Sequence, residues 1–548
     1  MPTTRRELLH ALAALGLLGG CRPVARSGRG HDLGSDPCAL APLTSEAPVD
    51  PGSFRHGVAS GDPSPDGVVL WTRVEPSSDS PGHVELVEWV VARDPGLREV
   101  VASGVVETSA ARDFTVKLEV DGLEPGTAYH YRFARARWSP CMNRSFTPID
   151  TGAPPPPILA SAIGRTRTLP VGAVEQVRLG FCSCANYPAG FFNAYAVLAA
   201  CDDLDAVLHL GDYLYEYADG RYGDGSKLGR PVEPDGEIVS LADYRARHGL
   251  YKRDPDLQAV HAAHPFIAVW DDHELANDAW TGGAQNHDPA QQGEWATRLA
   301  AAIQAYYEWM PVRPPSPGLY RGFRFGELVD LLMLDTRAVG RDRQAAPDDP
   351  ETRADPSRTL LGAEQEAWLY AELSASAAAG TAWRVIGQQV VFGGVVFDPD
   401  KPYGDSWDGY PGARARVLDH LEREGIGDVI VLSGDIHSSW AFEVARDPWA
   451  DDPGQREPIL VELVTPAVSS PGPVAPEQAE GFASELLARH PHLRWAELRQ
   501  RGFVIVDVRV ERVEATWHFV ETVEERRAVA HPVKAFAIDR GSPRLREL

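Results

Sequence analysis

Two segments of the sequence place side chains that bind hard metal ions directly after an apolar run. Asp212 and Tyr215 follow one such run, and Asp435 and His437 follow another. Aspartate can bridge two cations, a phenolate favours a strongly Lewis-acidic ion such as Fe³⁺, and imidazole binds iron or zinc. Both pairs are predicted at the carboxyl edge of an open α/β sheet, where such sheets bind ligands. The alternative for the first pair is structural, with Asp212 capping a helix and Tyr215 packing on the sheet.

A third segment, Trp270–Asp278, also follows an apolar run and is crowded with acidic and imidazole donors, and its carboxylates repel one another unless cations balance them. Cys184 follows the first strand of the same region, and its neighbour Cys182 is predicted on the opposite face of that strand. A fourth apolar run ends at Asp335 and Arg337. The Arg337 guanidinium could bind phosphate oxygens, or it could form a structural ion pair with Asp335.

The elements that position these residues begin at about residue 177, where short apolar runs alternate with helical patterns. We predict strands at 177–181, 206–210, 266–270, 328–334, 383–391, 429–432, 502–509 and 514–519, with helices at 191–200, 257–263, 295–309, 363–376 and 413–423. The Gly- and Asp-rich stretch 219–237 is predicted to be a surface loop near the site. The region 177–548 is therefore predicted to be a layered α/β catalytic domain.

The residues before this domain have a different pattern. Short strands separated by turns across 53–148 predict a small all-β sandwich, and the stretch around Tyr129 resembles fibronectin type III domains. Residues 22–52 and 149–176, the latter with four consecutive prolines, are predicted to be linkers.

The first 21 residues are predicted to be an export signal. They contain paired arginines, a short apolar run and small residues before Cys21, a pattern similar to twin-arginine signals and to lipoprotein cleavage sites. An ordinary secretory signal is the alternative. We therefore expect an exported protein, periplasmic or at the cell surface, attached to lipid through Cys21 if that cleavage occurs. Of the later cysteines, Cys184 is the one predicted to stay outside any disulfide, and the pairing of Cys38 and Cys141 is left open.

Composition limits the partners. The chain has 548 residues, 43% of them hydrophobic, and a formal net charge of -25. This length favours two domains, and the charge argues against nucleic-acid binding through a basic face. An anionic substrate would need cations inside the site, which bound metal ions would supply. We expect a monomer that acts on a small molecule.

These motifs, in this order, resemble the PhoD-type alkaline phosphatases of the calcineurin-like metallophosphoesterase superfamily. The resemblance runs from His56 to the end of the α/β region, although the opening Asp-x-His of the wider superfamily is absent. Its motifs are Phe181-Cys-Ser-Cys, Gly211-Asp-Tyr-Leu-Tyr-Glu, Trp270-Asp-Asp-His-Glu with Asn277-Asp278, Leu334-Asp-Thr-Arg and Ser433-Gly-Asp-Ile-His. It implies an α/β layered metallophosphoesterase-like sandwich behind an N-terminal all-β, fibronectin III-like domain.

The resemblance also implies the ions and the residues that hold them. Fe³⁺ would be held by Cys184, Asp212, Tyr215 and His437. Ca²⁺ beside it would be held by Asp212, Asn277 and Asp435. A second Ca²⁺ is expected, with Asp272 and Asp278 as candidate ligands.

The implied reaction is in-line attack of a metal-bound oxygen nucleophile on phosphomonoesters and also diesters. Asn186 and Arg337 are the expected phosphate contacts, and His273 or Asp335 would assist proton transfer. Two other readings stay open. One is a phosphodiesterase that acts on phospholipid head groups near a membrane, which a lipid anchor would suit. The other is a calcium-dependent binding protein without turnover, in which the β-sandwich does the work.

Overall fold

The computed structural model describes residues 43–136, 158–314, 319–397 and 403–548. Their strands are β1 Val58–Ser64, β2 Gly67–Arg73, β3 Val84–Ala92, β4 Val100–Ser109, β5 Thr115–Asp121, β6 Ala128–Arg135, β7 Gly164–Arg167, β8 Gln176–Cys182, β9 Ala206–His209, β10 Pro265–Ala268, β11 Arg321–Phe325, β12 Val329–Met333, β13 Trp383–Gly387, β14 Val429–Ser433, β15 Ser439–Ala445, β16 Pro458–Val464, β17 Leu493–Glu497, β18 Gly502–Arg509, β19 Arg512–Val520, β20 Ala530–Asp539 and β21 Arg546–Glu547.

The helices of the same residues lie between the strands of the α/β region. They are α1 Asn193–Ala199, α2 Leu241–Lys252, α3 Pro255–Ala263, α4 Pro289–Gln292, α5 Trp295–Trp309, α6 Pro350–Ala354, α7 Gly362–Ala379, α8 Pro411–Glu424 and α9 Ala479–Arg489. None of them is long and apolar enough to cross a membrane.

Two large sheets form the centre of the molecule. The first has the order β21-β20-β19-β18-β8-β9-β10-β1-β2-β5, and the second has the order β11-β12-β13-β14-β16-β15-β17. Strands β8, β9, β10 and β1 run parallel in the first sheet, and β12, β13, β14 and β16 run parallel in the second. Each sheet therefore gathers the carboxyl ends of several strands at one edge, which is where ligands bind in α/β sheets.

The side chains of β14 show how the layers pack. Ile430 and Leu432 lie in the core that also contains Leu208 of the first sheet. Val431 points to the opposite side, into the core that contains Leu421 of α8. Since side chains alternate along a strand, β14 is buried on both faces. The second sheet thus lies between the first sheet and a layer of helices.

The first sheet has its own helix layer, on the face away from the second sheet. A Cβ atom at Gly180 of β8 would lie 2.7 Å from a methyl carbon of Leu198 on α1. Only glycine lets the helix approach the strand this closely. The layered α/β architecture predicted from the sequence is confirmed.

The N-terminal strands are arranged differently from the prediction. Strands β1, β2 and β5 extend the first large sheet, because β1 pairs in parallel with β10. A Cβ at Gly61 of β1 would lie 2.6 Å from the Phe266 carbonyl oxygen of β10, so this junction depends on a glycine. A separate sheet, β4-β3-β6-β7, packs against the extension across a core that includes Val68 and Val87. A separate fibronectin III-like domain is therefore not confirmed.

The predicted linker 149–176 also contains a structural element. Strand β7 lies within it and pairs with β6, so part of this stretch belongs to the four-stranded sheet. Strand β7 was not predicted because it is held by pairing with a distant segment and has no strong sequence pattern of its own. The domain boundaries themselves stay a prediction. The export signal 1–21, Cys38 and Cys141 lie outside the described residues.

Most predicted elements of the α/β region are found within a few residues of their expected ends. Helix α5 and strand β18 have the predicted bounds, whereas α2 was not predicted. Its start carries a capping box, in which Ser240 accepts from the Asp243 backbone and the Asp243 side chain accepts from the Ser240 backbone. A serine followed three residues later by an acid is a readable helix-start signal, so α2 could have been found.

Candidate metal centre

The predicted metal ligands lie at the carboxyl ends of strands from both sheets. Cys184 follows β8, Asp212 follows β9, and Asp435 and His437 follow β14. All four have positive φ angles, of 63°, 54°, 64° and 54° respectively. Such angles cost a non-glycine residue about 1–3 kcal/mol and persist where the surroundings force them, often at functional sites. The turns after these strands therefore hold the side chains in strained but defined directions.

The four residues expected to bind iron converge. Donor atoms of Cys184, Asp212 and His437 all lie within 4.8 Å of one another. The Tyr215 hydroxyl donates to Asp212 Oδ2 at 2.8 Å and lies 2.9 Å from His437 Nε2. Sulfur, carboxylate, phenol and imidazole donors from three separate strand ends thus share one small volume.

The cysteines of the motif point in different directions. The Cys182 thiol donates to the Leu208 carbonyl at 3.7 Å, away from the cluster, whereas the Cys184 thiol donates to Ser183 Oγ at 3.0 Å. Among the described residues Cys182, Cys184 and Cys201 are all unpaired. Strand β8 ends at Cys182, and Cys184 lies in the turn after it with a φ of 63°, so this turn directs one thiol to the core and the other to the cluster.

A second set of contacts fixes the cluster from behind. Ser470 Oγ lies 2.7 Å from the Tyr215 hydroxyl and 2.9 Å from the Cys184 carbonyl oxygen. The other ring nitrogen of His437, Nδ1, lies 2.8 Å from the Tyr222 hydroxyl and 2.9 Å from the Pro471 carbonyl oxygen. Contacts of this kind fix the orientation of a ligating ring and tune its affinity for metal.

Beside this cluster lies a group of six buried or nearly buried aspartates, which we call the acidic edge. They form overlapping sets whose oxygens lie within 4.8 Å of one another or of His273, and Asp272 belongs to three of these sets. Arg337 runs through the group, with Nη1 2.7 Å from Asp405 and Nη2 2.8 Å from Asp435. The members of the acidic edge are Asp212, Asp271, Asp272, Asp278, Asp405 and Asp435.

Burial controls the protonation of these groups in the metal-free protein. It raises the pKa of the Cys184 thiol and of the Tyr215 phenol well above their usual ranges, and the nearby Asp212 charge adds to both shifts. Burial also raises the pKa of Asp278 to about 8 and that of Asp435 to about 7, although Arg337 opposes the rise. Metal ligands must be deprotonated, so a cation entering this cluster displaces protons.

The lack of hydrogen-bond partners at three carboxylate oxygens indicates whether a cation would fit this site. Asp212 Oδ1, Asp271 Oδ2 and Asp272 Oδ1 are buried without a hydrogen-bond partner among the described residues. Unsatisfied buried polar atoms are rare and costly in proteins. Cations held between these oxygens would satisfy them, so the residues present fit a multinuclear metal site.

The cluster opens into a cavity of about 580 Å³. Its walls differ in character, since one carries the metal donors and the other is apolar. The polar wall includes Asp212, Asp272, His273, Asn277, Asp278, Asp435 and His437, and the apolar wall includes Phe397, Ile436, Pro473, Val474 and Phe482. The cavity therefore has room for a phosphate ester with its ester group beside apolar side chains.

Two further predicted residues lie at this cavity. Asn277 donates its backbone N–H to Glu216 at 2.8 Å, and its side-chain amide donates to Gln285 at 3.1 Å, which leaves its carbonyl oxygen as a possible ligand. His273 Nδ1 lies 2.7 Å from Glu216 Oε2, and its ring lies 4.2 Å from that of Tyr215. Burial opposes protonation of His273, but the Asp272 and Glu216 charges raise its pKa well above the usual range.

Three other predicted residues are placed differently from expectation. Arg337 is fully buried in ion pairs with Asp271, Asp405 and Asp435, so its guanidinium faces carboxylates instead of the cavity. Asn186 is also fully buried, and its amide donates to the Tyr222 carbonyl at 3.0 Å. Neither lines the cavity, and their role as phosphate contacts stays a prediction.

Asp335, a candidate for proton transfer, lies behind the site. It accepts the backbone N–H groups of Arg337 and Ala338 at 3.0 and 2.9 Å and does not line the cavity. It therefore shapes the turn that carries Arg337. Its ion pair with the Arg337 guanidinium, the alternative left open by the sequence, is not found either, because the guanidinium binds other carboxylates.

Some site residues were not predicted individually. Tyr222 lines the cavity from the loop 219–237, which was expected near the site, and Glu216 belongs to the same motif as Asp212. Asp405 had no usable signal, because it follows no apolar run, and only the folded chain shows that it belongs to the site. Ser470 comes six residues after the apolar run 459–464, which lies in β16, so its position at the edge had a local signal that the prediction did not use.

Comparisons with known proteins agree with this geometry. The family model described as PhoD-like phosphatase matches residues 179–517, and the model of its N-terminal domain matches residues 38–152. This chain belongs to the PhoD-like phosphatase family. It is 36% identical over 515 residues to alkaline phosphatase D of Bacillus subtilis (strain 168), covering 90% of this chain and 82% of that protein.

A solved structure of PhoD is also similar. The two chains are 34% identical, the TM-score is 0.78, and the match covers 93% of each chain. The match therefore includes the N-terminal strands as well as the α/β region. Membership of the PhoD-like family makes this chain a hydrolase of phosphate esters and accounts for a metal centre at the joined sheet edges.

Proposed function

We propose that this PhoD-like chain hydrolyses phosphate esters with Fe³⁺ held by Cys184, Asp212, Tyr215 and His437. The observation that carries the proposal is the convergence of thiol, carboxylate, phenol and imidazole donors within 4.8 Å or hydrogen-bonding distance. A phenol and a thiol beside a carboxylate suit a strongly Lewis-acidic ion better than Mg²⁺, which prefers oxygen ligands alone.

Calcium is proposed for the neighbouring positions. Asp212, Asn277 and Asp435 would hold the first Ca²⁺, and Asp272 and Asp278 contribute oxygens for a second. Calcium accepts six to eight oxygen ligands in flexible geometry, which matches a cluster made of carboxylates and one amide oxygen. Bound cations would supply electrostatic stabilisation of the charge that develops on the phosphoryl oxygens.

The side chains of the protein have separate tasks in this scheme. Asp212 belongs to two of the donor sets, so it links the proposed iron and calcium positions. Arg337 holds four carboxylates in place by ion pairs. Glu216 fixes Nδ1 of His273, which leaves Nε2 of the ring to give a proton to the departing alcohol oxygen.

Water is the proposed attacking nucleophile. The Cys184 thiol is completely buried and does not line the cavity, so it cannot reach a phosphorus atom there. In-line displacement places the leaving oxygen opposite the attacking one. The apolar wall of the cavity would then receive the alcohol portion of the ester.

The test combines turnover, metal content and colour. We expect the purified chain to hydrolyse para-nitrophenyl phosphate, to contain iron and calcium, and to show a visible charge-transfer band from phenolate on Fe³⁺. Tyr215→Phe should abolish the band and lower kcat. A colourless, iron-free chain with full activity would refute the ferric assignment.

Tyr213→Phe is the matched control for this experiment. Tyr213 lies in the same turn, but its hydroxyl lies 2.8 Å from His261 on the side away from the cluster. Its substitution should leave the visible band in place. Loss of the band in both variants would mean that the colour does not report on Tyr215.

The apolar wall favours a second candidate activity, hydrolysis of phosphodiesters. Phe397, Ile436 and Phe482 line the same cavity as the metal donors and could contact a second ester group. Rates on para-nitrophenyl phosphate and on bis(para-nitrophenyl) phosphate, which share a leaving group, separate the two activities. A higher kcat/KM on the diester would make diesters the preferred class.

A further inference from the structure

A second cavity lies next to the metal cavity. Its volume is about 410 Å³, and it shares the lining residues Gly472, Pro473 and Val474 with the larger cavity. The segment 471–474 is therefore a thin ridge with one cavity on each side. On the far side of the ridge the lining includes two arginines, Arg499 and Arg501.

These arginines are unlike the others near the site. Among the residues that the structure describes, neither forms an ion pair with a carboxylate, and Arg501 donates only to the carbonyl oxygens of Arg499 and Gln500, at 2.8 and 3.0 Å. Arg337 and Arg341, by contrast, are saturated by aspartates of the acidic edge. In a chain of net charge -25, this cavity is therefore lined by two guanidinium groups that have no carboxylate partner among the described residues.

The ridge brings Arg501 close to the metal cluster. The Pro471 carbonyl oxygen lies 2.9 Å from His437 Nδ1. At the next residue, Gly472, an added Cβ would lie 3.1 Å from Arg501 Nη2 and 2.6 Å from the Leu498 carbonyl oxygen. The guanidinium thus packs against the ridge directly behind a proposed iron ligand, in space that only glycine leaves open.

Guanidinium groups without a carboxylate partner have N–H donors that are available to another anion. Arginine binds phosphate through two parallel N–H donors, and this geometry is the reason for its frequency at phosphate sites. An anion held here would lie one residue across the ridge from His437. It would also be attracted to one of the few positive positions beside an acidic site.

We propose that the cavity of Arg499 and Arg501 binds a second phosphate group of the substrate, carried by the alcohol portion of the ester. The inference rests on the proposed phosphate-ester hydrolysis and specifies its substrate class as esters with two phosphate groups. Arg501 is a binding residue in this scheme, because it holds a group that does not react.

The test compares two substrates that differ only in the second phosphate, butyl phosphate and a butanediol bisphosphate. The wild-type chain should hydrolyse both, with the higher kcat/KM on the bisphosphate. Arg501→Gln should lower kcat/KM on the bisphosphate about tenfold through KM and change kcat/KM on butyl phosphate far less, as expected for a lost charge-assisted hydrogen bond. High salt should reduce the advantage of the bisphosphate in the wild-type chain.

Two variants control for charge and for folding. Arg494→Gln removes the same charge from a half-exposed arginine that faces Glu443 at 3.8 Å, and it should leave both substrates unaffected. Arg501→Lys keeps the charge and should recover part of the bisphosphate preference.

Equal wild-type kcat/KM on the two substrates would overturn this inference and leave phosphate-ester hydrolysis intact. A similar loss on both substrates in Arg501→Gln would also overturn it, because it would show a structural effect on the metal cluster. Failure of the wild-type chain to hydrolyse either substrate would refute the proposed function itself, and with it the inference.

Discussion

The molecule buries titratable groups in two regions, one made of acidic residues and one made of basic residues. One is the acidic edge, and the other is a group of bases behind it that we call the basic cluster, His209, His248, Lys252 and His261. Lys252 Nζ lies 3.0 Å from His261 Nε2 and forms no ion pair with a carboxylate among the described residues. The two regions meet at one turn, since Tyr213 contacts His261 while its neighbour Asp212 belongs to the metal cluster.

Burial acts on both regions by the same physics and in opposite directions. It raises the pKa of Asp278 to about 8 and lowers the pKa of His209 and His248 to about 3. It also lowers the pKa of Lys252 well below its usual range. Removal from water disfavours the charged form of every group, whichever its sign.

The surroundings of the two regions differ. The acidic edge opens into the 580 Å³ cavity, where a cation can reach its unsatisfied oxygens. The basic cluster is closed by aromatic rings, with Lys252 Nζ 4.6 Å from the Trp71 ring and His248 stacked on Trp309 at an interplanar angle of 13°. None of its four members lines that cavity. Both regions are buried, and they differ in whether a ligand can reach them. Access to a ligand, more than burial, therefore distinguishes a functional cluster of titratable residues from a structural one.

The largest expected effect is on the acidic edge. Asp212→Asn removes the carboxylate that is shared by two donor sets, so both proposed ion positions lose a ligand. We expect kcat on para-nitrophenyl phosphate to fall about a thousandfold, with less bound metal per chain. The control is Asp202→Asn, at an exposed position before β9, and its kcat and bound metal should equal those of the wild type. Full activity in Asp212→Asn would show that the acidic edge is no more functional than the basic cluster.

The next effect concerns the balance of charge within the acidic edge. Arg337→Gln leaves Asp271 and Asp435 without their cation, whereas Asp405 keeps its ion pair with Arg341, and should lower the free energy of unfolding by about 3–5 kcal/mol in the presence of a chelator. Added Ca²⁺ should restore part of this loss, measured by urea unfolding.

Arg324→Gln removes a partly exposed ion pair with Asp330 and is the control, with a loss below about 1 kcal/mol and no response to Ca²⁺. If Ca²⁺ did not stabilise Arg337→Gln, the acidic edge would not be a cation site.

A smaller effect reports on the basic cluster through pH. The pKa of His248 in the folded chain is about 3, below its usual value of about 6.5. As the pH falls from about 6.5 towards about 3, the unfolded chain therefore binds a proton at His248 and the folded chain does not. Stability is therefore present at neutral pH and lost towards low pH. Between about pH 7 and about pH 5 the wild-type chain should lose about 2 kcal/mol more than His248→Phe.

The control for that measurement is His531→Phe, at an exposed position beside Glu521. It should follow the wild-type pH dependence in urea unfolding. If the free energy of unfolding fell equally with pH in His248→Phe and in the wild type, His248 would be accessible to protons in the folded state. That result would contradict its closed surroundings.

The smallest effect is expected for Lys252→Met. This change removes a buried amine that touches no ligand site and keeps the length of the side chain, so the free energy of unfolding should change by about 1 kcal/mol or less. Activity on para-nitrophenyl phosphate should equal that of the wild type. A large loss of kcat would show that the basic cluster takes part in catalysis and would end the distinction between the two regions.

The sequence predicted much of this site because its signals are local. Cys184, Asp212, Asp435 and His437 each follow an apolar run, and parallel strands must end at a common edge. Motif order then identified the family. The same reasoning placed Arg337 at the edge correctly but not its partners, since Asp405 has no local pattern and reaches the guanidinium only through the fold.

What the sequence determined by itself is the strands that carry the predicted metal ligands, the residues at their ends and hence the type of chemistry. Tertiary structure alone decided which strands share a sheet, as in the pairing of β1 with β10, and which buried charges face a cavity. Side-chain periodicity is a property of neighbouring residues, whereas desolvation, charge balance and access depend on groups hundreds of residues apart. The sequence does not show that Arg337 is paired with carboxylates and that Arg501 is not, because both properties depend on their surroundings in the fold.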